Sequence, residues 1–354
     1  MNKWLEFLFE QYLRLQQQFE THPRLRKAFQ AAKTRLDSQI YFGNLHMHER
    51  MLADIPRVDV YYQAITKYVT NADVVLDLGT GTGILAFFAA QRQAKQVYAI
   101  EHAEIIEVAK ALAELNELTN ITFVKAHSQQ VTLSEKVDIL VQEQMGSWIF
   151  NENMLDSVLD LRDRVLKAGG KILPSKFELF VEPVQLKAEY RVPLIWEQQR
   201  HGIDFAPLQA IQEDADSAHF YRDVKVPEVD YFLCQPQALF TFDLATMRID
   251  QRSATLHYRQ PVIRAGQLDG FCFYFRAIFD EEIAFTTSPL ATERTHHWAN
   301  LLYRVNAASY EPGDIIEFTL TMNDVQERKS WVWHYPHAST APTASQPSSF
   351  AEGL

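Results

Sequence analysis

Apolar and polar positions follow one rhythm before Pro174 and another after it. Before it, short apolar runs at 74–78, 96–100, 121–125 and 137–142 alternate with segments of helical spacing at 83–91, 103–116 and 151–166. Continuous apolar runs of that length predict strands buried on both faces. Gly169 and Gly170 predict the end of the last helix. This βαβα alternation predicts a doubly wound, Rossmann-like sheet over residues 71–174. Residues 1–70 read as helical, with Trp4, Leu5, Leu8, Phe9, Tyr12 and Leu13 on one side of a first helix. After Pro174, strand patterns at 177–186, 237–243, 253–258, 270–279, 300–305 and 315–322 predict a β-rich second domain over 175–335. A stretch from 196 to about 227 interrupts it with helix-like spacing. The Ser-, Thr-, Ala- and Pro-rich tail, 336–354, predicts disorder.

Composition narrows the function classes. The 354 residues, 47% hydrophobic and 22% charged, suit two globular domains. No apolar run reaches the ~18 residues of a membrane span. The first residues lack the small-residue cleavage site of a signal peptide. With only Cys234 and Cys272 present, neither a disulfide framework nor a cysteine-built zinc site is expected, and a cytoplasmic location is. The net charge of -11 disfavours nucleic acid as a partner and favours basic ones.

Two loops carry candidate chemistry. The first joins the strand at 74–78 to the next helix and holds Asp77, Gly79, Gly81 and Gly83. Glycines there let a ligand lie against the backbone and aim a helix N-terminus at it. The spacing is GxGxG, not the GxGxxG of dinucleotide sites. Asp77 stands where it can accept bonds from a cationic headgroup. Glu101 ends the second strand, the usual place for an acid that holds ribose. Together these favour S-adenosylmethionine over NAD. The second loop follows the strand at 137–142 and sets Glu143 and Glu152 on either side of Gly146. If it folds back, both carboxylates face one point. A guanidinium, planar and permanently charged, is the natural guest of such a pair. The carboxylates can also draw positive charge away from one nitrogen and hold that nitrogen in line for methyl transfer.

These motifs resemble the protein arginine N-methyltransferase family. Residues 143–155 match its E-x-M-G-x5-E-x-M-L loop. His48-Glu-Arg-Met51-Leu-Ala-Asp54-Ile-Pro-Arg57 is similar to its HEEMLxDxxR, placed on one helix before the sheet. Phe285-Thr-Thr-Ser-Pro289 with Thr295-His-His297-Trp298 is similar to its FxTxP…THW region. The resemblance covers roughly residues 45–330. It implies a Rossmann-like domain followed by a β-barrel, with the stretch at about 196–227 as a dimerisation arm and a head-to-tail homodimer. It implies that Glu143 and Glu152 clamp the acceptor guanidinium. Arg57 would bind the carboxylate of S-adenosylmethionine and Glu101 its ribose. His297 would pair with Asp54, tying the barrel to the cofactor domain, and would handle protons near neutral pH. Trp298 would line the substrate entrance, with Met51 and Met154 shaping a pocket suited to asymmetric dimethylation. The chain also departs from the family at several further positions. Leu45 stands where the second Tyr of YFxxY belongs, after Tyr41 and Phe42. Gln129, beside Ser128, replaces the adenine-contacting acid, His296 replaces the Thr of the THW box, and Gln144 replaces the usual Trp.

The implied acceptor is an arginine-containing protein or peptide. A small guanidino compound or natural-product precursor would suit the same loop, and a non-catalytic dimeric scaffold is the reading from another class. No metal site is expected. His46, His48 and Glu49 read as structural or hinge residues.

Overall fold

A computed structural model of the chain describes residues 43–191, 199–208, 220–224 and 228–335. The expected N-terminal helix, Tyr41 and Phe42, residues 196–198, 209–219 and 225–227 of the expected arm, and the tail lie outside the described residues.

Five parallel strands form the first layer: β1 (Val74–Leu78), β2 (Gln96–Glu101), β3 (Ile121–Lys125), β4 (Val137–Gln142) and β5 (Leu166–Leu173). Their order is β3-β2-β1-β4-β5. β1 is buried at every position, as its unbroken apolar run demands. The direction of winding reverses between β1 and β4, so a crevice opens beyond their carboxyl ends. Helices α3 (Ile84–Gln91), α4 (Ile106–Leu115) and α5 (Met154–Val165) cover the sheet.

Two expectations fail here for local reasons. The single helix expected across residues 48–57 is two, α1 (Leu45–Leu52) and α2 (Ile55–Tyr68). Pro56 has no N–H to continue the first helix and instead fits the first turn of the second. The glycine pair does not stop a helix. The chain passes from α5 straight into β5, and both glycines lie within that strand. Gly169 takes φ +76, and a Cβ on Gly170 would sit 2.9 Å from the Asp138 carbonyl oxygen. The glycines thus let the edge strand crowd β4 where its register slips, between Val137 and Ile139.

The second layer is built on β6 (Lys176–Leu186), paired along its length with β13 (Gly266–Ile278). β10 (Val229–Phe232), β11 (Phe240–Asp243), β14 (Ala284–Thr286), β15 (Asn300–Tyr310) and β9 (Phe220–Val224) complete this sheet. A second sheet, β12 (Ala254–Pro261), β16 (Ile315–Met322) and β17 (Trp331–His334), closes over it. Phe271 and Phe273 stack on Trp333 and Trp331 between the two, forming the barrel interior. β9 corrects the expected arm: part of that stretch belongs to the barrel sheet, and β7 (Gln199–Arg200) with β8 (Ile203–Asp204) forms a short hairpin. One apolar cluster runs from Tyr61 on α2 through β1 and β4 to Phe285, Trp298 and Trp331 of the barrel. Among the described residues no helix is long and apolar enough to cross a membrane.

Candidate active site

The crevice at the winding reversal is a cavity of about 750 Å³, within the range of small-molecule sites. β1 delivers Gly79, β2 delivers Glu101 and β4 delivers Glu143 to its wall, and α1 brings His48, Arg50 and Met51 across it.

The glycine loop turns through left-handed backbone at Gly79 (φ +73) and Gly81 (φ +54). Side chains from elsewhere already press on both. A Cβ on Gly79 would lie 2.5 Å from Gln144 Nε2, and one on Gly81 would lie 2.7 Å from His48 Cε1. Gly83 differs. It starts α3, and its Cβ would strike the Phe87 ring, so it serves the turn and the packing and does not line the cavity.

Asp77 does not line the cavity either. Its Oδ2 accepts from the Thr80 hydroxyl (2.6 Å) and the Ala86 amide (3.1 Å), while Oδ1 has no partner. The anion at the N-terminus of α3 is therefore Asp77 itself, bracing the loop from beneath. Burial pushes its pKa up to about 7, against the pull of those two hydrogen bonds. Glu101 does line the cavity. Oε1 accepts from the amides of His102 and Ala103 (2.8 Å each), and Oε2 from Gly81 (3.2 Å). Burial raises its pKa, but His102 and these amides outweigh that and hold the carboxyl below its ordinary value. At the far end the wall is Ala126, His127 and Ser128. Gln129 is exposed and outside the cavity, whereas His127 and Ser128 line it.

The acidic loop folds back as the spacing suggests. Gly146 and Ile149 exchange backbone hydrogen bonds (3.2 and 2.9 Å), and the Phe150 amide donates to Trp148 (2.9 Å). Ile149 sits at φ 72, ψ -57, the centre of a strained three-residue turn. That turn returns the chain so that Glu152 lines the same cavity as Glu143. Burial raises the Glu143 pKa, and the Arg57 charge opposes it; the two groups form an ion pair at 3.1 Å. Glu152 is pushed well above its ordinary value, first by burial and then by the Glu143 charge. Arg57 also donates to the Met51 carbonyl (2.6 Å).

The barrel supplies the remaining wall. Trp298 is buried, stacks on Phe285 with centroids 5.6 Å apart, and donates from Nε1 to the Met145 carbonyl (2.7 Å). It lines the cavity as a buried wall. Met51 lines the cavity, whereas Met154 is fully buried in the core and does not. Asp54 stands outside the cavity and ties the two layers through backbone: Oδ2 accepts from the amides of His296 (2.9 Å) and His297 (2.8 Å). The expected imidazole–carboxylate pair is absent, because Nδ1 of His297 has no partner. Burial, with the charges of Arg57 and Arg50, lowers the His297 pKa to about 4. The ring is neutral at pH 7 and does not titrate there, contrary to expectation. His46 meets Glu49 at 3.2 Å while His48 faces Gly81, so the two histidines diverge.

Sequence reasoning missed Tyr61, whose hydroxyl donates to the Gln142 carbonyl (2.8 Å) and fixes the start of the acidic loop. It also treated Gln144 and His48 only as a departure and a hinge. Nothing in their spacing marks them, since they reach the glycine loop across the fold.

Comparison with known proteins agrees with this geometry. Residues 69–216 match the family model of a methyltransferase domain, and residues 175–333 that of the arginine methyltransferase oligomerization subdomain. The protein arginine N-methyltransferase 6 of Danio rerio is 30% identical over 298 residues, 81% of this chain and 84% of that protein. The protein arginine N-methyltransferase 1 of Chlamydomonas reinhardtii is 33% identical over 278 residues, covering 75% and 76%. Among solved structures, the Trypanosoma brucei PRMT1 enzyme-prozyme heterotetrameric complex with AdoHcy superposes with a TM-score of 0.69 at 25% identity, over 79% of this chain and 88% of that one. The chain belongs to the protein arginine N-methyltransferase family.

Proposed function

We propose that the chain transfers a methyl group from S-adenosylmethionine to a guanidino nitrogen of arginine in proteins. The observation that carries this is the convergence of Glu143 and Glu152 on one cavity, where Arg57 is the cation paired to Glu143. Two part-buried acids whose ionisation is opposed by desolvation leave a site that a planar cation completes.

The cavity fits the methyl donor in size and wall chemistry. Cβ atoms at Gly79 and Gly81 would fill the cradle, and Glu101 stays ionised beside it. The related complex is described with AdoHcy, the form left when the donor has lost its methyl. In this reading Arg57 binds the donor's carboxylate, Glu101 its ribose hydroxyls, and His127 with Ser128 its base. When bound, the donor supplies an electrophilic methyl group on sulfonium. The chain's own residues do the rest. Glu143 and Glu152 accept the guanidinium N–H groups and hold one terminal nitrogen in line. Glu152, with its raised pKa, is the better acceptor for the proton released on methylation. His297, at about 4, is a weaker base and serves as wall. Met51 alone of the two expected methionines lines the cavity, and the proposal of asymmetric dimethylation rests on that residue. The oligomerization-subdomain match supports a homodimer, which light scattering on the purified protein would check.

Glu143→Gln and Glu152→Gln should each lower kcat by about 10²–10³-fold, since each removes a charge that orients the reacting nitrogen. Calorimetric affinity for S-adenosylhomocysteine should survive in the Glu152 variant. Full turnover of an arginine peptide in either variant would reject the mechanism. Transfer to free guanidino compounds but to no peptide would reject the protein acceptor.

A further inference from the structure

The mouth of the cavity carries a cation that the reaction does not use. Arg50, the sixth residue of α1, is exposed, lines the cavity, and makes no ion pair with any acid among the described residues. The acid beside it, Glu49, turns to His46 instead. Both Arg50 and His297, which comes from the barrel, line the cavity, and the Arg50 charge acts on the His297 ring. It does not neutralise the clamp, where the charges acting on Glu143 and Glu152 are those of Arg57, Asp54 and Glu143 itself. Arg50 thus leaves its donors facing solvent at the edge of a site otherwise built from acids.

We infer that Arg50 selects acceptors carrying a carboxylate within one or two residues of the target arginine. This rests on the arginine reading above. With its guanidinium between Glu143 and Glu152, the acceptor's backbone lies at the mouth and its flanking side chains lie at the rim, where Arg50 stands. An aspartate or glutamate there meets an unpaired guanidinium and can accept a forked pair of hydrogen bonds. A lysine or arginine there meets a like charge. The chain's net charge of -11 attracts basic partners from a distance. Contact selection at the rim is a separate and opposite preference, because screening confines each charge to about 8 Å at physiological ionic strength.

The test uses the full-length protein, saturating S-adenosylmethionine and peptides with one arginine, identical except for aspartate, glutamine or lysine on both sides of it. Wild-type kcat/KM should be about three- to five-fold higher for the aspartate peptide than for the lysine peptide at low ionic strength, the scale of a rim ion pair. The gap should shrink in about 0.5 M salt. Arg50→Glu should invert the order and Arg50→Lys should preserve it, each read as the ratio of aspartate-peptide to lysine-peptide kcat/KM within one variant. A merely structural role for Arg50 would lower all three peptides together and would overturn the proposal. So would equal rates, or a lysine preference, in wild type. Tight binding of S-adenosylhomocysteine with transfer to none of the peptides would instead remove the arginine reading, and this inference with it.

Discussion

Asp77 and Glu152 are both acids out of water, and their partners give them opposite duties. Asp77 is surrounded by donors from its own loop and helix, so its charge is used inside the fold. Glu152 has a like charge, Glu143, as its largest electrostatic influence after burial itself. A carboxyl whose folded-state pKa is raised binds more protons folded than unfolded. Its support for the fold is complete below the unfolded value, about 4.3, and is lost as pH rises through the folded value. Glu152→Gln removes that loss. The variant should therefore melt higher than wild type at pH 8 without ligand, by roughly 2–4 °C, and the difference should vanish near pH 4. Melting curves at the two pH values check this. A lower melting point for the variant at pH 8 would mean that Glu152 is satisfied in the free protein.

Elements reach the site by close approach, and glycine is what permits it. α1 lies over the glycine loop so tightly that the His48 ring occupies the space of a Cβ on Gly81. Gly81→Ala must therefore strain its backbone and also displace α1, the element carrying Met51 and Arg50. We expect a stability loss of about 1–3 kcal/mol and cofactor affinity weaker by roughly ten-fold or more. Gly169→Ala is the control. Its φ is also positive, at +76, but its Cβ would meet nothing within 4 Å. It should cost about 1–2 kcal/mol and leave affinity unchanged. Denaturant melts and calorimetry on the two variants separate backbone strain from collision. The strained turn at Ile149 follows the same logic: a buried isoleucine tolerates positive φ because its side chain is locked in the core, and Glu152 is aimed by it.

Across the whole molecule the site exists because the barrel is fixed against the sheet. One apolar cluster spans both, and Asp54 adds a charged acceptor for two barrel amides. Trp298 adds a second tie through the Met145 carbonyl, next to the acidic loop. Asp54→Ala leaves the amides of His296 and His297 without an acceptor. It should cost about 2–3 kcal/mol and lower kcat/KM, although Asp54 does not line the cavity. Asp54→Asn keeps one acceptor oxygen and should lose less on both counts. Equal melting points for wild type and Asp54→Ala would show that the apolar cluster alone sets the geometry between the layers.

The alternation of strands and helices through β4 and the meeting of Glu143 and Glu152 across one loop were legible in the chain itself. Each depends on periodicity, glycine spacing or separation along a single loop, which local sequence encodes directly. The fifth strand was not legible, because two glycines in an edge strand look like a helix stop until β4 lies beside them. Nor was the partition of polar groups among loop, ligand and interface. Asp77, Gly83, Gln129, Asp54 and Met154 have the residue types and positions of site groups, yet each turns away from the cavity. That choice is made by which donor, helix end or apolar layer arrives from a distant part of the chain, and only packing in three dimensions supplies those neighbours.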